Sequence, residues 1–299
     1  NGFAHIYHPV ERVVYGLYSN RLIAKQVDGV IMANRQIRVN SCEFTSPIIV
    51  VIIGESANRH HSQLYGYPLS TTPRQLALMK EKDSLAVFTD VVSPWNLTSR
   101  VFKQIFSLQS VGVKGDWSNY TLFPAVFKKA GYHVSFLSNQ FPYGINYTPD
   151  WTNNLSGGFF LNHPQLNKQM FDYRNTNIHE YDEELLNDYK NIGIKEKSQL
   201  IIFHLLGQHF QYSLRCKSNM KRFGTNDYPR TDLTKEEKQT IADYDNATLY
   251  NDYVLSKIIE QFKDKEAIVI YLSDHGEDCY GKDAQMAGRL TEAEQIDIK

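Results

Sequence analysis

Five short strand-like runs, set far apart along the chain, constrain its fold more than any other feature: residues 47–53, 87–92, 133–137, 200–205 and 267–272. The most apolar of them, 48–53 and 267–272, read as strands buried on both faces, which is the mark of a parallel sheet. Helical patterns fill the intervals. Phe102, Ile105 and Phe106 share one face of a predicted helix, and Leu122, Val126 and Phe127 share a face of a second. A third helix is predicted over 235–262, where Ile241, Tyr244, Leu249, Tyr253, Leu255 and Ile259 recur at three- and four-residue spacing. Thr234 followed by Glu237 forms a capping box at its start. This alternation predicts an α/β fold, one domain over residues 1–299, with a mostly parallel central sheet and helices on both faces. In such sheets the functional groups gather at the carboxyl ends of the strands.

Composition removes several classes of function. With 299 residues, 42% of them hydrophobic, the chain can build one large core and is neither disordered nor a disulfide miniprotein. Lys+Arg 32 against Asp+Glu 33 leaves a net charge of −1, so no global field favours nucleic acid. Its longest wholly apolar run, 48–53, falls far short of the roughly 20 residues that cross a bilayer. Cys42, Cys216 and Cys279 are too few for a disulfide framework, and three cannot all pair. The chain opens on Asn1 and trails off in a polar tail to Lys299, so it is expected to be a piece of a longer protein whose last elements are missing. Residues 141–177, rich in Asn, Gly, Pro and aromatics without a period, read as a long surface excursion; such a loop either shapes a binding site or merely connects.

Two strands run directly into ionisable groups, one into Gly54-Glu55-Ser56 and the other into Ser273-Asp274-His275. A carboxylate just beyond a buried strand costs several kcal/mol if unpaired. Alone, Glu55 reads as a helix cap and Asp274 as one half of a salt bridge. Together at one sheet edge, with His275, they supply oxygen and nitrogen ligands suited to Zn²⁺ or Mn²⁺. Between them, Thr98 precedes a predicted helix, where free N–H groups and the dipole favour a bound phosphate. A metal-ionised hydroxyl there would be a nucleophile, whereas an N-cap is the simpler reading of the same residue. In Phe203-His204-Leu205-Leu206-Gly207-Gln208-His209, His204 lies within the apolar run and reads as a core histidine. His209 falls just beyond it, at a position suited to a ligand or a phosphate contact.

These pieces resemble the lipid A and related phosphoethanolamine transferases of the alkaline phosphatase/sulfatase superfamily. The resemblance rests on Gly54-Glu55-Ser56, Tyr65-Gly66-Tyr67, Thr71-Thr72-Pro73, Thr98 after Ser93, and His204-x-x-Gly207-x-His209. Tyr244-Asp245-Asn246 and Ser273-Asp274-His275-Gly276-Glu277 complete it, in register over roughly residues 45–280. It implies an alkaline phosphatase/sulfatase-like fold and Zn²⁺ held by Glu55, Thr98, Asp274 and His275. It also implies that Thr98 attacks phosphatidylethanolamine, forms a phosphoethanolamine–threonine intermediate and passes the group to lipopolysaccharide, on a core sugar or on lipid A. Asn139 and Gln140 sit where relatives place polar substrate contacts; ordinary strand-end amides are the other reading. The implied whole protein has residues 1–44 as a linker from an absent membrane domain. Its catalytic part is a monomer on the periplasmic face of the bacterial inner membrane.

Three departures qualify the match. Pro94-Trp95-Asn96-Leu97-Thr98 replaces the Cys-Gly-Thr-x-Thr loop of many relatives, most of the family's disulfide cysteines are lacking, and no further His follows between Glu277 and Lys299. The first two favour a core-oligosaccharide-modifying branch; the third means either that the chain stops short of that His or that the site is incomplete. A formylglycine sulfatase is excluded, since no Cys or Ser stands in a Cys/Ser-x-Pro-x-Arg context. A phosphoglycerol transferase of the lipoteichoic acid type is the alternative enzyme, and a metal-binding domain without catalysis is the alternative outside enzymes. Lys217, Lys221 and Arg222 form a small basic cluster suited to anionic head groups or to a solvated surface.

Overall fold

The computed structural model describes residues 4–81, 84–110, 112–141, 143, 159–193, 197–281 and 287–288. Its sheet has five strands: β1 (Ile48–Gly54), β2 (His133–Ser138), β3 (Tyr173–Arg174), β4 (Gln199–His204) and β5 (Ala267–Ser273). Their spatial order is β3-β2-β4-β1-β5, and every neighbouring pair is parallel. A two-stranded antiparallel ribbon, β6 (Asp278–Cys279) with β7 (Ala287–Gly288), stands apart.

Successive strand residues point to opposite faces, and both faces are buried in β1, β2 and β4. The expectation that 267–272 is buried on both faces fails, because β5 is an edge strand and leaves Ile268 and Ile270 exposed on one face. Ile49, Val51 and Ile53 of β1 join Val134, Phe136, Leu200 and Ile202 in one core layer. Val50, Ile52, Leu137, Ile201 and Phe203 enter the other. The first layer is covered by α1 (Ala4–Arg35), α3 (Thr98–Phe106), α4 (Phe123–Lys129) and α6 (Pro164–Met170). The second is covered by α7 (Leu185–Asn191) and α8 (Lys235–Glu260). Short helices α2 (Pro73–Lys80) and α5 (Phe159–Asn162) complete the set. Each side chain of this size taken from water contributes about 1.5–3 kcal/mol. The expected parallel α/β sandwich is the observed one.

Helix α8 begins at the capping box read from the sequence: Thr234 Oγ1 accepts from Glu237 N–H at 3.2 Å, and Thr234 N–H donates to Glu237 Oε2 at 2.7 Å. Two further expectations need correction. Residues 87–92 are not a strand. They run over the surface with Phe88, Val91 and Val92 exposed, held where Tyr65 OH donates to Phe88 O and Arg59 donates to Thr89 O. Nor is the 1–44 stretch wholly a linker, because residues 4–35 form a helix whose last turns are part of the domain. Val27, Val30 and Ile31 are buried in the first layer, and Asn34 Oδ1 accepts from Leu122 N–H at 3.0 Å. Among the described residues no helix is long and apolar enough to cross a membrane. Of the 141–177 excursion, residues 142 and 144–158 lie outside the described residues, as does the tail from 289; α5, α6 and β3 occupy the rest.

Candidate metal centre

The centre is assembled by register. Gly54 pairs with Ser273 and Ile53 with His204, while Ser138 also pairs with His204. The residues that follow these strand ends, Glu55, Asp274-His275, Leu205 and Asn139-Gln140, therefore share one edge of the sheet. Thr98 comes to them from the first turn of α3. Leu97, not Thr98, is the N-cap, so the N-cap reading of Thr98 is replaced by an N1 position with a hydroxyl free to turn inward.

Four donor groups meet there. Thr98 Oγ1 donates to Glu55 Oε2 at 3.1 Å and lies 3.3 Å from His275 Nε2. The same Nε2 is 3.2 Å from Glu55 Oε1 and 3.3 Å from Asp274 Oδ2. Donors about 2.0–2.2 Å from a tetrahedral cation lie roughly 3.3 Å from one another, so the spacing would suit donors around one cation. Two further observations fit a cation. Asp274 Oδ2 is buried and accepts no hydrogen bond. His275 Nδ1 donates to the Gly276 carbonyl at 2.9 Å, which fixes the tautomer and makes Nε2 the ring nitrogen that could take a cation. Glu55, Asp274 and His275 are the group of buried metal-capable side chains among the described residues.

The electrostatics of the protein alone are unbalanced. Burial, followed by the charge of Glu55, pushes Asp274 up to about 7. Burial opposes the charge on Glu55 as well, but the His275 ring and the hydrogen bonds from Ser56 and Gln140 hold it well below the usual carboxylate range. Two carboxylates this close resist ionising together, and a divalent cation removes the conflict.

The surrounding contacts fix these side chains. Ser56, in a left-handed conformation at φ 58°, donates its hydroxyl to Glu55 Oε1 at 2.8 Å and its N–H to Asp274 Oδ1 at 3.1 Å. Ser93 Oγ lies 2.6 Å from the Asp274 carbonyl, tying the strap before Thr98 to the same turn. Gly207, at φ +48°, lies so close to Glu55 that a Cβ would stand 2.9 Å from the Glu55 N and O atoms. Asp182 holds that loop, accepting from Leu206 N–H at 2.8 Å and Gly207 N–H at 2.9 Å. Behind the Glu55 loop, Tyr244 OH donates to Ser56 O at 2.6 Å, and Asp245 accepts from the hydroxyls of Tyr67 and Tyr228. The Tyr244-Asp245-Asn246 motif is thus a clamp on loops and not a set of ligands.

The remaining candidates divide. Gln140 joins the centre, its Nε2 donating to Glu55 Oε2 at 3.1 Å. Asn139 does not: its amide donates to Asp182 and accepts from His179 N–H, so it belongs to the scaffold. His209 is half-buried beside Gln208, whose N–H donates to the Glu55 carbonyl, and its ring has no hydrogen bond or ion pair among the described residues. His204 is a core histidine, with Ser138 Oγ 2.9 Å from Nδ1 and the Phe102 ring centroid at 4.6 Å. In the basic cluster, Lys217 pairs with Glu183 and Lys221 with Asp243. Ser56 and Asp182 escaped the sequence reading. Ser56 carried the signal of a small polar residue directly after Glu55, whereas Asp182 sits in an acidic run that reads as solvated surface.

The chain is similar to known proteins over most of its length. A family model described as sulfatase matches residues 47–297. The phosphoethanolamine transferase EptC of Escherichia coli (strain K12) is 33% identical over 238 residues, covering 78% of this chain. The chain spans 40% of the length of that relative. Among solved structures, the C-terminal periplasmic domain of EptC from Escherichia coli superposes with a TM-score of 0.72 at 29% identity, covering 84% of this chain and 70% of that one. The same Escherichia coli domain in complex with Zn gives 0.70 at 29% identity, over 84% and 71%.

Proposed function

Because the chain belongs to the sulfatase family, we propose that it is the catalytic part of a zinc-dependent phosphoethanolamine transferase. It would move the group from phosphatidylethanolamine to lipopolysaccharide, on a core sugar or on lipid A. The observation that carries the reading is the Thr98 hydroxyl 3.1 Å from Glu55 and 3.3 Å from His275, at an edge that also holds Asp274. The names of the relatives supply the transferred group. The Escherichia coli domain that contains Zn supplies the choice of metal, and its periplasmic setting is proposed for this chain too.

Glu55, Thr98, Asp274 and His275 would hold the ion. Bound zinc would acidify the hydroxyl and offset negative charge on the phosphoryl oxygens. The chain's own residues do the rest. Thr98 Oγ1 attacks phosphorus; the Oγ–P bond forms and the bond from phosphorus to the glycerol oxygen breaks. The electron pair leaves on diacylglycerol, which takes up the proton lost by threonine. Glu55 Oε2 aligns that proton, and the N-terminal N–H groups of α3 face the developing charge. In the second half-reaction a hydroxyl or phosphate oxygen of the acceptor attacks the phosphothreonine, and Thr98 leaves restored.

Thr98→Ala in the full-length gene should abolish the modification while leaving the fold intact. Mass spectrometry of lipopolysaccharide from cells making the wild type or the variant checks this, and an unchanged phosphoethanolamine content in the variant would refute the reading.

A further inference from the structure

The structure assigns Gln140 a role that its position at a strand end does not suggest: it is a positioning residue for the metal-ligating carboxylate of Glu55, not a contact for substrate. The inference rests on the metal site of the proposed function and concerns how that site is held. Gln140 follows β2, and β4 lies between β2 and β1, so its side chain must reach across a whole strand to meet Glu55. It does so with one nitrogen. Nε2 donates to Glu55 Oε2 at 3.1 Å and to the Leu205 carbonyl, just past β4, at 2.8 Å. Both partners are pure acceptors, so the amide can face them only with its NH₂ group, and its orientation is fixed.

The amide is itself braced. Its backbone N–H donates to Ser138 Oγ at 3.1 Å, and the next N–H, that of Phe141, donates to the same oxygen at 2.8 Å. Ser56 grips Glu55 from the other side, on Oε1. Glu55 is therefore held at each oxygen by a different segment of chain, 85 residues apart in the case of Gln140. A carboxylate gripped in this way cannot swing out of the plane that aims it at Thr98 and His275. Outer partners that orient a ligand commonly set metal affinity by about 10–100-fold.

The test is a zinc titration of the chain against a competing fluorescent chelator, with the metal alone as probe. Gln140→Met keeps the length and removes the donor; Gln140→Ala opens the space and serves if the first variant does not fold. Thermal melting without metal confirms the fold of each. The expected result is a loss of zinc affinity of about tenfold or more in the folded variants. Affinity within twofold of wild type overturns the inference, and so does a wild-type chain that fails to bind zinc. The two readings fail separately: phosphoethanolamine transfer surviving Thr98→Ala would sink the proposed reaction and leave the effect of Gln140 on zinc affinity untouched.

Discussion

At the scale of single residues, burial decides which of the chemically suggestive side chains are reagents and which are scaffold. His204 has the residue type and the motif of a ligand, yet it packs among Phe102, Phe136 and Phe141 with no exposed surface. Burial lowers its pKa to about 3, so it folds as the neutral imidazole. The unfolded chain binds a proton below about 6.5 that the folded chain refuses. The stability from His204 is therefore fully present above pH 6.5 and is lost as the pH falls toward 3, at up to about 1.4 kcal/mol per pH unit. Urea denaturation of the chain between pH 7 and 4 should show this slope, and His204→Phe should flatten it. Sequence alone separated His204 from Glu55, Asp274 and His275, because it lies inside an apolar run and they lie just past one. It could not separate Asn139 from Gln140. Adjacent amides at a strand end point to opposite sides, and only the register of β2 against β4 tells which one meets the carboxylate.

At the scale of elements, alternating apolar runs and helical periods made the sheet, its parallel sense and the capping box of α8 readable. The failure at 87–92 has a physical cause. Val, Phe and Thr favour strands only where a neighbouring strand pairs with them, and that segment instead passes over the surface toward Ser93 and Thr98. Close approaches of backbone to backbone were equally invisible, since glycine carries no pattern. Gly207→Ala tests the most demanding of them. Its positive φ and the 2.9 Å gap to Glu55 leave no room for a methyl group, and the loop must move. A loss of about 1–3 kcal/mol is expected by denaturant midpoint, together with weaker zinc binding, because the loop that moves carries Leu205, the second anchor of Gln140.

At the scale of the molecule, α1 is joined to the domain by its second half. Val30, with no exposed surface, is buried in the first layer, in the core cluster that also holds Trp117 and Phe160. Val30→Asp would place an unpaired carboxylate there and should cost about 3–5 kcal/mol, read as a fall in melting temperature; a free tether would tolerate the change. The centre obeys a similar long-range logic. Ser56 bonds Asp274 across 218 residues, and Thr98 bonds Glu55 across 43. Nothing local draws these groups together, so their meeting waits until the first and last sheet strands have aligned. No partial assembly owns the pocket. A metal held there, as proposed, would therefore latch an architecture already finished, and its capture would mark the closing event of folding.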